Sequence, residues 1–134
     1  MTPLAEGVPQ AALEAVADGV VITDAKGTIL WVNAAFTRMT GYSSSEAIGQ
    51  NPRLLKSGEH PKVFYQEIWS TIASGKSWSG EMTNRRKDGS VYVEEQTITP
   101  VLDAGGSLAY FIAVKQDCTL RRQADDALRR SEQR

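Results

Sequence analysis

Residues 78–117 read WSGEMTNRRKDGSVYVEEQTITPVLDAGGSLAYFIAVKQD, and the fold turns on this stretch. It holds three segments rich in β-branched and aromatic residues: Trp78 to Lys87, Ser90 to Val101, and Leu108 to Asp117. Such residues suit the pleated, half-buried surface of a sheet. Asp88-Gly89 between the first two predicts a two-residue hairpin turn, and Gly105-Gly106 marks the second connection. Working outward, Phe64, Ile68 and Ile72 recur every four residues, with Tyr65 and Trp69 alongside. That spacing predicts a helix opening at Pro61 and stopped by Gly75. From Asn51 to Pro61 the breakers Pro52, Gly58 and Pro61 alternate with Leu54 and Leu55, which call for burial. Ser43-Ser-Ser-Glu46 is a capping box that predicts a short helix ending at Gly49, and Ala34 to Thr40 predicts another, closed by Gly41. Gly19 to Thr23 and Thr28 to Asn33 flank Asp24-Ala-Lys-Gly27 as a second hairpin. Pro9 to Asp18, with Ala12, Leu13, Val16 and Ala17 on one side, predicts an N-terminal helix. Thr119 to Arg134 predicts a charged one, with Leu120, Ala124, Ala127 and Ser131 starting a heptad-like seam. The expected class is α+β: a five-stranded antiparallel sheet with helices on one face, divided as flanking helix 1–18, core domain 19–118 and exit helix 119–134.

Composition narrows what such a domain does. The 134 residues are 41% apolar and 23% charged, enough for one packed core. Fifteen Lys+Arg against sixteen Asp+Glu leave a charge of −1, which argues against nucleic acid as partner. No apolar run is long enough to span a membrane and no signal peptide opens the chain, so a cytoplasmic location is expected. A single Cys118 and a single His60 exclude a disulfide and a Cys/His zinc cluster. No phosphate-cradling Gly-rich loop and no Ser/His/Asp set is present, so the chain is not read as an enzyme.

Alternation along the strands outlines a pocket. If Asn84 faces inward, then Trp78, Gly80, Met82 and Arg86 share its face, followed by Tyr92, Glu94, Gln96 and Ile98, then Ala109, Phe111, Ala113 and Lys115. Asn84, Glu94, Gln96 and Lys115 then stand among apolar residues, where each polar group needs a partner. Two readings stay open: a Glu94–Lys115 ion pair that closes the space by itself, or a polar heterocycle that takes some of those bonds. The opposite face carries Val91, Val93, Tyr110, Ile112 and Val114, too much apolar surface to leave in water. A homodimer through this face and the helix carrying Leu13 and Val16 is the expected cover.

An ordered series of short motifs resembles the PAS domain, a sensory module of bacterial signalling proteins. It comprises Val21-Ile-Thr-Asp24, Ile29-Leu-Trp-Val-Asn33, Phe36, Thr40-Gly-Tyr42, Glu46 with Ile48-Gly49, Asn84-Arg-Arg-Lys-Asp-Gly89 and Asp117-Cys-Thr119. The resemblance implies a sensor that relays the state of a pocket through flanking helices to a missing C-terminal output domain, as in two-component signalling. Two flavin-binding branches are similar. In the light-oxygen-voltage branch a reactive Cys follows a pocket Asn; here Gly49-Gln-Asn-Pro52 puts Pro52 in that place, so no photoadduct is implied. The stretch Ser57-Gly58, Pro61, Tyr65, Ile68-Trp69, Trp78-Ser-Gly80 and Asn84-Arg-Arg-Lys87 resembles the FAD-containing redox sensors of nitrogen-fixation regulators. This resemblance implies an FAD held at Trp69 and Asn84, with Asn51 and Pro52 lining the pocket and Glu94, Gln96 and Lys115 on its sheet side. Pro52 replaces a carboxylate of that branch, so its hydrogen-bond network does not carry over whole. The alternatives are a dimerisation module without cofactor and a small-metabolite sensor.

Three further residues have plainer readings. His60, the only candidate haem ligand, sits in Gly58-Glu-His-Pro61 and is expected to face solvent or cap the helix. Cys118 is expected to be an inert, partly buried thiol, and Arg85-Arg86-Lys87 a solvated basic turn.

Overall fold

A computed structural model describes residues 17–132. The N-terminal helix expected over Pro9 to Asp18, with Leu13 and Val16, falls almost wholly outside these residues. The strands are β1 (Gly19–Asp24), β2 (Ile29–Val32), β3 (Trp78–Arg85), β4 (Val91–Leu102) and β5 (Leu108–Asp117). They form one antiparallel sheet in the order β2-β1-β5-β4-β3. The two hairpin groups are thus joined by β1 lying along β5, with Gly19 opposite Lys115 and Val21 opposite Ala113. Between β2 and β3 run α1 (Ala34–Thr40), α2 (Ser44–Ala47), a 3-10 turn (Pro52–Leu55) and α3 (Lys62–Ala73); α4 (Thr119–Glu132) leaves after β5. The α+β class and the five antiparallel strands agree with the sequence reading.

The Asp88-Gly89 connection departs from the two-residue hairpin expected of it. The Arg86 N–H donates to the Ser90 carbonyl and the Gly89 N–H to the Arg86 carbonyl, so three residues form the loop. Asp24–Thr28 and Asp103–Ser107 repeat the same pair of bonds. All three loops end on a glycine, at φ +91° (Gly27), +93° (Gly89) and +84° (Gly106), a region that costs other residues a steric clash. An aspartate tightens each loop: Asp24 and Asp103, just before theirs, each accept two backbone N–H groups, and Asp88, inside its own, accepts from Ser90. One hairpin solution is used three times.

The helices between β2 and β3 close by local bonds. Asn33 caps α1 by accepting the Phe36 N–H at 3.0 Å and also accepts the Val20 N–H at 2.9 Å, tying the helix start to β1. Ser43 and Glu46 form the predicted capping box of α2. Val21, Ile29, Val32, Phe36, Ala47, Leu55 and Ala113 form the apolar core, beneath α1, α2 and the 3-10 turn. This end of the sheet is dry. Further along, α3 stands over β3, β4 and β5 and leaves a space.

Candidate functional site

That space is a cavity of about 280 Å³, near the ~300 Å³ lower end for small-molecule sites. Its apolar walls come from Ile68, Trp69 and Ile72 of α3 and from Met82, Ile98, Phe111 and Ala113 of the sheet. The polar floor is Asn84, Gln96 and Lys115. Asn51, Pro52, Arg53 and Lys56 border it from the 3-10 turn and the residues beside that turn, and Gly27 from the β1–β2 loop. Gly27 matters sterically: a Cβ there would lie 3.0 Å from the Asn51 amide and 4.0 Å from the Trp69 ring. Trp69, 45% exposed, packs edge-on to Phe111 at 5.7 Å between ring centres, so it forms a wall open to solvent.

Strand register explains the floor. Gln96 of β4 lies directly opposite Lys115 of β5, and the Lys115 ammonium donates to the Gln96 carbonyl oxygen at 3.0 Å. It also donates to Glu94 at 2.8 Å, two residues along β4, on the same face. Asn84 and the Tyr92 hydroxyl each donate to the other Glu94 oxygen at 2.9 Å. Glu94 therefore receives three hydrogen bonds while fully buried, and Lys115 is only 2% exposed. Burial, with the Glu94 carboxylate beside it, pushes the Tyr92 hydroxyl far up, so it remains a donor. The Glu94–Lys115 ion pair, one of the two readings the sequence left open, is formed, yet it does not close the space, and the cavity remains next to it.

Six of the seven residues expected at the site line the cavity: Asn51, Pro52, Trp69, Asn84, Gln96 and Lys115. Glu94 does not; it stands behind the floor and acts through Asn84 and Lys115. The Asn51 amide is engaged by the protein, accepting the Arg53 N–H at 3.0 Å and donating to the Gly27 carbonyl at 3.3 Å. Tyr65, read from the sequence as a helix-face aromatic, also lines the cavity, and its hydroxyl is buried with no hydrogen-bond partner. Its signal was its place one turn before Trp69 on the same helix face.

His60 and the basic run need correction. His60 neither faces solvent nor lines the cavity: it is half-buried, its Nε2 accepts the Thr83 N–H at 2.8 Å, and its ring stacks on Phe64 at 4.1 Å. It fastens the start of α3 to β3. Arg86 is not a solvated turn residue. Its guanidinium lies 4.5 Å from the Tyr92 ring centre, donates to the Met39 carbonyl at 2.9 Å, and pairs with Asp117 at 2.8 Å. Asp117 in turn accepts the backbone N–H and hydroxyl of Thr119, the first residue of α4. Burial pushes the Asp117 carboxyl up, but the bonds from Thr119 and Arg86 outweigh it and hold it below its usual range. A contiguous chain of contacts runs from the floor through Glu94, Tyr92, Arg86 and Asp117 to the exit helix. Cys118 beside it is buried, and burial raises its thiol, as suits an inert residue.

The family described as the PAS fold matches residues 9–118. The chain belongs to the PAS family. A "Nitrogen fixation regulatory protein" of Klebsiella oxytoca is 40% identical over 108 residues, covering 81% of this PAS chain and 22% of the relative. The structure of an RNA-binding light-oxygen-voltage receptor superposes with a TM-score of 0.81 at 25% identity, covering 99% of this chain and 40% of that one. A structure titled "Flavin Analogue Sheds Light on Light-Oxygen-Voltage Domain Mechanism" has a TM-score of 0.76 at 25% identity, covering 92% and 93%. The PAS chain thus spans a small part of the length of its regulatory relative. Among the described residues, no helix is long and apolar enough to cross a membrane.

Proposed function

We propose that this PAS sensory domain holds a flavin, FAD in the first instance, and reports its state to an output domain through the exit helix. The observation that carries the reading is the cavity: apolar walls, a donor-bearing floor at Asn84, Gln96 and Lys115, and a buried Tyr65 hydroxyl without a protein partner. A planar heterocycle edged with acceptors fits such a set of donors. The flavin analogue named for the light-oxygen-voltage relative supports the class of ligand, and so does the motif likeness to redox-sensing nitrogen-fixation regulators. A bound flavin supplies reversible redox or light-driven chemistry. The chain's own residues grip and translate: Trp69 and Ile68 would cover the ring, and Asn84 and Gln96 would orient its polar edge. The contacts through Glu94, Tyr92 and Arg86 then bias how firmly Asp117 holds the start of α4.

The same reading makes the chain the cytoplasmic sensor segment of a longer regulator, with α4 as the helix that leaves it. It works as a homodimer through the outer sheet face. Val114 there is 38% exposed, with Ile112 and Tyr110 next along β5, and Val91, 41% exposed, stands with Val93 at the start of β4. Light scattering tests the dimer: Val114→Glu is expected to shift the mass toward the monomer.

The central test is the visible absorption and fluorescence of the purified chain, as isolated and after incubation with FAD, FMN and riboflavin. Flavin bands with quenched fluorescence are expected. A colourless protein that quenches none of the three would leave the dimerisation-module reading in its place.

A further inference from the structure

The cavity has an electrostatic sense that the flavin reading alone does not supply. Three cationic side chains line it, Arg53, Lys56 and Lys115, and no carboxylate does among the described residues. Lys115 differs from the other two, which are at its border: it is 2% exposed and stands on the floor. Its ion-pair partner Glu94 does not line the cavity, so the pair presents its positive end to the ligand and its negative end to the protein. The ammonium has three N–H donors, and two are taken, by Glu94 at 2.8 Å and Gln96 at 3.0 Å. The Gln96 amide next to it has only the Met82 sulfur, at 3.7 Å, as acceptor. Unspent donors and the positive end of the ion pair therefore meet at one place on the floor. A low-dielectric wall strengthens whatever charge interaction they make.

We infer that Lys115 is a specificity-determining residue that makes the cavity favour a ring whose sheet-facing edge carries negative charge. Resting on the flavin reading, this means tighter binding of the reduced ring, left anionic after taking up two electrons and one proton, than of the neutral oxidised ring. The neighbouring Glu94 sets the limit of the preference, because its carboxylate partly compensates the ammonium.

The test measures dissociation constants of oxidised FMN and of dithionite-reduced FMN for the whole chain, by fluorescence and by equilibrium dialysis under nitrogen. Lys115→Gln is expected to lower the reduced-to-oxidised affinity ratio at least tenfold, a fall of about 30 mV in the two-electron potential. Lys115→Arg, which keeps the charge, is expected to hold the ratio close to the parent value. Equal weakening of both forms by Lys115→Gln would make Lys115 a structural residue and overturn the inference while leaving the flavin reading intact. Parent protein that binds neither form overturns both. A measurement needing no variant guards against a misfolded Lys115→Gln: 8-hydroxyriboflavin, whose ionisation spreads charge to the pyrimidine edge and changes its colour. Bound to the parent, it is expected to ionise at lower pH than when free. Ionisation at the same or higher pH overturns the inference.

Discussion

One sheet has two ends built on opposite principles. Where β1 and β2 meet α1 and α2, Val21, Ile29, Val32, Phe36, Ala47 and Leu55 fill the interior. Where β3, β4 and β5 meet α3, the interior holds a cavity of about 280 Å³ floored by Asn84, Gln96 and Lys115, with Glu94 paired to Lys115 behind them. The dry end stabilises the domain by area removed from water, about 25 cal/mol per Å². The hollow end forgoes that packing and instead holds Glu94 against Lys115, Asn84 and Tyr92 in a low dielectric, while Tyr65 keeps a free hydroxyl. Stability and ligand response are therefore separable along the sheet.

The separation can be attacked from both sides. Phe36→Ala removes the largest side chain of the dry core and is expected to cost about 3–5 kcal/mol by urea unfolding. It should leave flavin affinity unchanged where the domain remains folded. Glu94→Ala is the strongest test at the hollow end, since it strands the Lys115 ammonium and is expected to cost about 3 kcal/mol. The double change Glu94→Leu with Lys115→Met should recover most of that stability while binding no flavin. Asp117→Ala removes the acceptor of the Thr119 N–H and hydroxyl and is expected to cost about 1 kcal/mol. The loss should appear as faster hydrogen exchange in the first turn of α4. Because the folded Asp117 carboxyl is held below its usual range, its contribution is present above the unfolded value and fades as pH falls through the lower folded one. Acid should thus loosen α4 in the parent and make no further difference in Asp117→Ala.

Trp69→Ala sits at the small end for stability. The side chain is 45% exposed, so unfolding should move by about 0.5 kcal/mol or less, while flavin affinity falls about tenfold. A large stability loss there would erase the distinction between the two ends. Smallest is Glu46→Gln at the capping box. The Lys87 hydrogen bond, then the Ser43 backbone N–H, hold this carboxyl down to about 2 from 4.5. The parent's advantage over the variant should therefore shrink as pH falls from about 4.5 toward about 2.

How much of this was readable beforehand depends on the range of the cause. Strand alternation placed Asn84, Gln96 and Lys115 on one face, and helical spacing put Ile68, Trp69 and Ile72 on the wall opposite. Arg86 was misread because its partners, Met39 and Asp117, lie 47 and 31 residues away. His60 was misread because its acceptor role is defined by the Thr83 N–H, 23 residues on.

Local chemistry is complete in the chain: glycine at the end of each hairpin loop, Asn33 and Ser43 as caps, the period-two and period-four patterns of strand and helix. These follow from backbone sterics and neighbouring side chains, which no distant contact needs to complete. Closure is another matter. That β1 inserts beside β5, that Glu94 withdraws behind Lys115, and that a cavity survives under α3 emerged only with the folded sheet. Each depends on which distant groups find one another once water is excluded, and a one-dimensional pattern does not carry that geometry.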